Sequence, residues 1–236
     1  MIIPAVPEQY RDKAPLFGAL IVSSLLSLVL FAGRVEYSAQ WTFVFLVWNL
    51  FLAWLPLGCA LALWHLHQRK RRSIGIGFAL FGAWLLFFPN APYLVTDLIH
   101  LTQRHNVPLW YDMLLLFSFA WNGLILGFVS LWIVQGVVQS CWGGVASWLV
   151  VGVSLAGGGF GIYLGRFLRW NSWDLFVNPQ GLAADILVRV LNPFAHPRTL
   201  AVTMLFAAFL TVAYLTIRLL SQVRWQPIDP GESIPR

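Results

Sequence analysis

Two short stretches of the chain carry ionisable side chains at spacings that could do chemistry. In the first, Tyr93, Asp97, His100 and Arg104 follow at intervals of four, three and four residues, which puts them on one face of a helix. An acid and an imidazole one turn apart suit general acid–base catalysis or metal binding. Asp97 and His100 are therefore the candidate catalytic residues. Two ligands alone identify no metal, so the metal and any cofactor are unknown from the sequence.

The second stretch, "GRFLRWNSWD", follows an apolar run. Arg166 and Arg169 are one helical turn apart, and Asn171 and Asp174 come shortly after them. A guanidinium that faces other helices binds a carboxylate or a phosphate, whereas one that faces lipid extends to the membrane surface. Both interpretations are open for the two arginines.

The composition indicates an integral membrane protein. Hydrophobic residues make up 59% of the 236 and charged residues 10%, whereas a soluble domain carries about 25% charged residues. A chain this short cannot bury so much apolar surface internally, so lipid must be the solvent for much of it. The net charge of +6 is spread over several loops, which fits a membrane topology signal better than a nucleic-acid surface. The predicted partners are membrane lipids and not nucleic acid, and protein partners are unknown.

Six apolar runs approach the roughly 20 residues that a membrane-spanning helix needs. They cover residues 15–33, 41–64, 74–88, 113–137, 147–166 and 199–220. We therefore expect a single all-α membrane domain over residues 1–236 with about six spans. Two shorter interfacial helices are expected near residues 93–104 and 180–191, the second bounded by the Asn-Pro pairs at 178–179 and 192–193.

The distribution of basic residues predicts the topology. With six spans, both termini lie on one side, together with the "RKRR" cluster at residues 69–72. That side carries nine of the 15 Lys and Arg residues and the other side carries six. Because basic residues accumulate in cytoplasmic loops, both termini are expected in the cytoplasm, and residues 89–112 and 167–198 are expected to face outward.

The two polar stretches therefore face the same side, and we predict that Asp97, His100 and Arg166 meet in one outward-facing junction. A carboxylate beside a guanidinium stays ionised, and its charge then favours protonated His100. A glycine every fourth residue in the fifth apolar run predicts a face that another helix approaches closely, which would turn Arg166 inward. The glycines are Gly157, Gly161 and Gly165, with a weaker pair at Gly123 and Gly127.

The third apolar run ends at two prolines. Residues 73–88 span roughly 24 Å as a helix, less than the roughly 30 Å of hydrocarbon. Pro89 and Pro92 should interrupt the helix with Ala91 extended, and Asn90 should cap the helix that restarts after them. That restarted helix is either an amphipathic interface element or one wall of a functional cavity, since ionisable residues at membrane depth tend to be functional.

Asn122 lies about ten residues into the fourth apolar run, roughly 15 Å deep. Alone it indicates a hydrogen bond between helices, and with the outer polar residues it could line the same pocket. Asp112, near the start of that run, is expected to be its N-cap. The two cysteines, Cys59 and Cys141, are interpreted as small packing residues. The candidate substrate-binding residues are Asn90, Tyr93, Asn122, Arg166, Arg169, Asn171 and Asp174.

The motifs "FPNAPYLVTDLIHL", "WYDMLLLFSFAWNG" and "GRFLRWNSWD" resemble a bacterial membrane-protein family catalogued as domain of unknown function 1361. The resemblance runs from about Ala79 to Phe194. It implies a multi-span fold, and it carries no established activity. Together with the charge distribution it predicts a multi-pass protein of the bacterial cytoplasmic (inner) membrane.

Three functions are compatible with these residues. The first is an enzyme that acts on a lipid or lipid-linked anionic substrate at the outer face, although the sequence has no HExxH, GxSxG or P-loop motif. The second is a carrier or binding protein for a small anion or amphiphile, and the third is a non-catalytic membrane scaffold. A deep, water-accessible polar pocket would argue against the third, and a filled, salt-bridged junction would favour it.

Overall fold

The computed structural model describes residues 14–69, 74–103 and 106–223. Helices make up 87% of these residues and no strand occurs among them, which confirms the all-α fold. The α-helices are α1 Ala14–Ser38, α2 Val44–Gln68, α3 Ile74–Phe87, α4 Asn90–Tyr93, α5 Leu109–Phe167, α6 Asp174–Val177, α7 Pro179–Leu191 and α8 Pro197–Leu220, with 3-10 helices at Leu94–His100 and Pro193–Ala195. Most basic residues of the predicted cytoplasmic side lie outside the described ranges.

Within the described ranges, five helical segments are long and apolar enough to cross a membrane: Ala14–Ser38, Val44–Gln68, Ile74–His100, Leu109–Phe167 and Pro197–Leu220. The expected count of six is not confirmed, because the predicted fourth and fifth helices form one element of 59 residues, α5. A straight helix of that length would extend about 88 Å, far beyond the roughly 30 Å hydrocarbon core. A break in the middle of α5 resolves this mismatch.

The break lies at Gly143, whose φ of 85° and ψ of 178° are not helical. Glycine alone adopts this conformation readily, because it has no Cβ. Residues on opposite sides of the break contact the same ring: a Cβ added to Gly127 would lie 4.0 Å from the ring of Phe88, and one added to Gly158 would lie 3.3 Å from it. We infer that α5 folds back on itself as two arms, residues 109–142 and 144–167.

Residues 88–94, where the third apolar run is interrupted, are held between these two arms. On the first arm, a Cβ added to Gly123 would lie 2.8 Å from Cδ1 of Leu94. On the second arm, a Cβ added to Gly161 would lie 2.5 Å from Cβ of Pro89. Backbone at a helix interruption within a membrane must be buried in protein or line a water-filled cavity, and this close packing supplies burial in protein.

The interruption itself differs from the expectation. The chain remains helical through Asn90–Tyr93 and continues as a 3-10 helix, so Ala91 is not extended. Each proline removes only its own N–H donor. The neighbouring donors are satisfied, because the N–H of Ala91 donates to Phe88 O at 3.2 Å and that of Tyr93 to Pro89 O at 3.1 Å.

The predicted glycine face is correct at two positions and wrong at the third. A Cβ added to Gly161 or Gly165 would clash, the latter with the ring of Tyr93 at 2.9 Å, whereas Gly157 has nothing within 4 Å. Gly159 instead packs closely, against the backbone of α8. An α-helix repeats every 3.6 residues, so a strict spacing of four rotates steadily away from one contact face.

The helix predicted near residues 180–191 is confirmed as α7. The side chain of Asn178 accepts a hydrogen bond from the N–H of Gly181 at 3.1 Å, and Pro179 is the first helical residue. Asn192 ends the helix. Leu182 is buried, so α7 lies against the bundle through one side.

Candidate functional site

The structure brings together Asp97, His100 and Arg166. The first two lie on the 3-10 helix Leu94–His100, and Arg166 lies in the last turn of α5. Nη2 of Arg166 forms a salt bridge with Oδ1 of Asp97, and the two side chains are 15% and 1% exposed. This junction therefore contains a largely buried ion pair that joins the helix interruption to the second arm of α5.

The imidazole of His100 lies on the other side of the guanidinium. Nη1 of Arg166 is 3.0 Å from Nε2 of His100. Because arginine has no acceptor atom, Nε2 can accept this bond only from a neutral imidazole. The preference for a protonated imidazole stays a prediction. The ring also packs edge-on against Phe45, with 5.2 Å between centroids.

The remaining polar atoms of the ion pair are also bonded to protein. Thr96 Oγ1 accepts from Nε and Nη2 of Arg166 at 2.9 and 2.6 Å, and the ring of Tyr93 lies 4.5 Å from the guanidinium carbon. Nδ2 of Asn49 donates to Oδ2 of Asp97 at 3.0 Å. All three guanidinium nitrogens and both carboxylate oxygens thus have partners within the protein.

The polar face predicted from the sequence includes Arg104, and the sequence left the metal unknown. Arg104, the last residue of that face, lies outside the described residues. Within the ranges that the structure covers, no three His, Cys, Asp or Glu side chains are grouped so that they could hold a metal ion.

Asn90 links the helix interruption to the segment after α5. Its Nδ2 donates to Phe87 O at 3.0 Å and to Ser172 Oγ at 2.9 Å. The expected cap on the following helix is therefore wrong, because the amide turns back to a carbonyl at the end of α3. Ser172 was not predicted, since an isolated serine in a polar loop gives no signal in the sequence.

The other polar residues of the second stretch form their own turn. Oδ2 of Asp174 accepts from the backbone N–H of Asn171 at 2.6 Å, at the start of α6. Arg169 is exposed and has a φ of 61°, an uncommon conformation for a residue with a Cβ. These three residues lie next to the junction in the chain, but their hydrogen bonds stay within the turn.

Asn122 belongs to a different polar cluster. Its Nδ2 donates to Ser27 Oγ at 2.8 Å and to Ser23 O at 3.1 Å, both in α1, and its Oδ1 accepts from Ser24 Oγ at 3.2 Å. Asn122 is 1% exposed. The alternative of a hydrogen bond between helices is therefore what the structure contains, and Asn122 does not contribute to the Asp97 junction.

A second buried ion pair was not predicted. Nε and Nη2 of Arg34 donate to the two carboxylate oxygens of Asp112 at 2.7 and 3.2 Å, and the side chains are 0% and 1% exposed. The guanidinium carbon lies 4.4 Å from the centre of the Phe43 ring. Pro108 is the N-cap of α5, so the expected capping role of Asp112 is wrong.

Asp185 attaches α7 to the turn after α5. Nε1 of Trp170 donates to its Oδ2 at 2.7 Å, and Nη1 of Arg189 donates to its Oδ1 at 2.7 Å. The hydrogen bond from Trp170, aided by that from Arg189, lowers the pKa of the Asp185 carboxyl below its usual value. The carboxylate is thus favoured where α7 meets the bundle.

The helices and the two buried ion pairs define a multi-span helical membrane protein with charged groups inside the bundle. A comparison with protein families gives a more specific assignment: the model of the family described as protein of unknown function (DUF1361) matches residues 48–213. The match covers more than half of the chain, so the chain belongs to this family, as the three motifs predicted. No curated protein and no solved structure matches the chain.

Proposed function

We propose that the protein is a non-catalytic membrane scaffold, and that the Asp97–Arg166 junction holds its helices together. One observation carries this proposal: every nitrogen of the guanidinium and both oxygens of the carboxylate bond to protein atoms. These bonds use four of the five N–H groups of the guanidinium, so little of either charge is free to bind a substrate. The charge of each side chain is balanced by the other.

The junction connects three parts of the bundle. Asn49 belongs to α2, Asp97 to the 3-10 helix and Arg166 to the second arm of α5. Removing one member of a buried ion pair leaves an uncompensated charge and costs about 3–5 kcal/mol, whereas replacing both members by apolar residues is often neutral. A structural junction and a chemical site therefore respond differently to paired substitution.

The test compares Asp97→Asn, Arg166→Lys and the double variant Asp97→Leu/Arg166→Met in folded yield, metal content and co-purifying lipid. A scaffold predicts a lower yield for the single variants, recovery in the double variant, and no change in bound species. Arg169→Lys, which alters an exposed arginine in the adjacent turn, is the matched control and should behave like the wild type. Single variants that fold normally but lose a bound lipid or metal would contradict the proposal.

A second candidate is a protein that binds a lipid or lipid-linked anionic substrate at the outer face. Asp97 and His100 would then be the residues that act on the bound substrate. This candidate is favoured by one observation: exposed Arg169 lies three residues after Arg166 in the chain, and the Arg166 side chain is itself 15% exposed. In this case the first step of binding would use Arg169. Arg169→Gln would then reduce co-purifying anionic lipid while Arg189→Gln, on α7, would not.

We also propose that the protein lies in a bacterial cytoplasmic membrane with both termini in the cytoplasm, on the strength of the unequal distribution of basic residues. Single cysteines at positions 70 and 105 can be tested in a background in which Cys59 and Cys141 are replaced by Ser. An impermeant thiol reagent added to intact cells should label position 105 and not position 70. The reverse labelling would overturn this topology.

A further inference from the structure

The far end of α2 borders a cavity that the junction does not use. It has a volume of about 500 Å³ and lies between the start of α1, the end of α2 and the first arm of α5. Its walls are mostly apolar and include Phe17, Leu61, Trp132, Ile133 and Val137. Its size falls within the roughly 300–1,000 Å³ of ordinary ligand pockets.

Polar side chains are found at one end of this cavity, where α2 ends. His67, Gln68 and Ser140 belong to its lining. Ser140 Oγ donates to Val137 O at 2.7 Å, which uses its only hydrogen, so the contact of 3.0 Å to Nε2 of His67 has the imidazole as donor. Nδ1 of the same ring then accepts the contact of 3.7 Å from Cys141 Sγ. The ring is therefore held in one orientation beside the cavity.

Positive charge adjoins this polar end. Arg69 is exposed and forms the C-cap of α2, directly after Gln68. In the sequence it begins the run Arg-Lys-Arg-Arg, whose later members lie outside the described residues. Basic residues next to a membrane-spanning helix attract anionic phospholipid headgroups, and tryptophans such as Trp64, which also lines the cavity, favour the headgroup level.

We propose that this cavity binds an acyl chain of an anionic phospholipid, whose headgroup lies against His67, Gln68 and Arg69. His67 is 18 residues beyond Asn49 on α2, which corresponds to about 27 Å along the helix. The lipid site is therefore at the opposite membrane surface from the Asp97 junction and does not depend on the function proposed for that junction. The apolar walls select the chain, and the charge selects the headgroup.

The cavity contains a position suited to a test. Gly136 lines it, and a Cβ added there meets nothing within 4 Å, so Gly136→Phe can fill the cavity without a backbone clash. Gly152 is an exposed glycine of the second arm that also has nothing within 4 Å, and Gly152→Phe is the matched control. Arg69→Gln removes the described positive charge and leaves the cavity intact.

The measurement is native mass spectrometry of the purified full-length protein after exchange with micelles containing equal phosphatidylglycerol and phosphatidylcholine. The wild type and Gly152→Phe should retain phosphatidylglycerol preferentially. The amount of lipid retained by Gly136→Phe should be at least tenfold lower than that retained by the wild type. Arg69→Gln should lower the preference for phosphatidylglycerol over phosphatidylcholine about fivefold. Equal retention of the two lipids by the wild type, or full retention by Gly136→Phe, would overturn the proposal.

A second measurement identifies the occupant directly. A benzophenone amino acid replacing Trp132 places the crosslinker in the cavity wall, and the mass of the adduct in native membranes reveals what lies there. A phospholipid adduct supports the proposal. An adduct with residues 1–13 of the same chain, which precede α1, would overturn it.

Discussion

The close approach of the second arm to the helix interruption makes Gly161→Ala a demanding test of the fold. The added Cβ would lie 2.5 and 2.7 Å from Cβ and Cγ of Pro89. Carbon atoms in good contact are about 3.5–4.0 Å apart, so the two segments must separate by roughly 1 Å. The proline ring cannot rotate away, because it is closed on its own backbone, and therefore the backbone itself must move.

Two effects of opposite sign set the size of the change. Overpacking of this kind costs about 1–3 kcal/mol. Alanine also favours the helix over glycine by about 1 kcal/mol, and this gain occurs at any helical glycine. Gly157→Ala is the matched control, because Gly157 lies one turn earlier on the same arm with nothing within 4 Å. The difference between the two variants therefore isolates the overpacking cost.

Thermal unfolding in detergent, followed by the loss of the monodisperse peak in size-exclusion chromatography, measures this difference. At about 2–4 °C per kcal/mol for a chain of this length, Gly161→Ala should melt about 2–12 °C below Gly157→Ala. The control itself should melt at or slightly above the wild-type temperature. Equal midpoints for the two variants would refute the close packing at Gly161 and, with it, the inward placement of Arg166.

Three further predictions follow from other contacts. Gly143→Ala should lower stability by about 1–3 kcal/mol, because φ 85° and ψ 178° suit glycine alone. Gly144→Ala should not lower stability, and thermal unfolding of the two variants tests the difference. Asp112→Asn should cost about 3–5 kcal/mol in the same assay, because it leaves a buried guanidinium uncompensated, and a loss below 1 kcal/mol would contradict the pairing. Folding lowers the pKa of the Asp185 carboxyl. The ionised carboxylate therefore contributes its full stabilisation of the folded state above the unfolded pKa of roughly 3.9, and this stabilisation is lost as the pH falls through the lower, folded pKa. The midpoint difference between wild type and Asp185→Asn should therefore shrink below about pH 4, and a constant difference would contradict this role.

The sequence predicted contacts where helical spacing and the expected side of the membrane placed the same residues together. Asp97 and His100 share a helical face through their spacing, and Arg166 was expected on the same side of the membrane, so their meeting could be predicted. The contact of Asn49 with this site could not be predicted, because no sequence pattern connects Asn49 with a carboxylate 48 residues later. Its partner depends on how α2 rotates in the bundle, which is a property of packing.

The pair of Arg34 and Asp112 illustrates the same limit. Both residues lie near helix ends, where capping and interfacial positions are common alternatives, and no spacing rule joins residues 78 positions apart. The sequence could not decide the role of Asn122 either, because its depth fits both the lining of a pocket and a hydrogen bond between helices. Serines of α1 decide between the two, and only the rotation of α1 brings them within reach.

The long separation of the paired charges also has a consequence for biosynthesis. Asp97 is made 69 residues before Arg166, and Arg34 is made 78 residues before Asp112. At about 5–20 residues per second, each first charge exists for roughly 3–16 s before its partner emerges from the ribosome. A charge without its partner is unfavourable inside a helical bundle, so Arg34 and Asp97 are buried only after their partners on α5 have been made. The packing around the first helices is therefore completed late in synthesis.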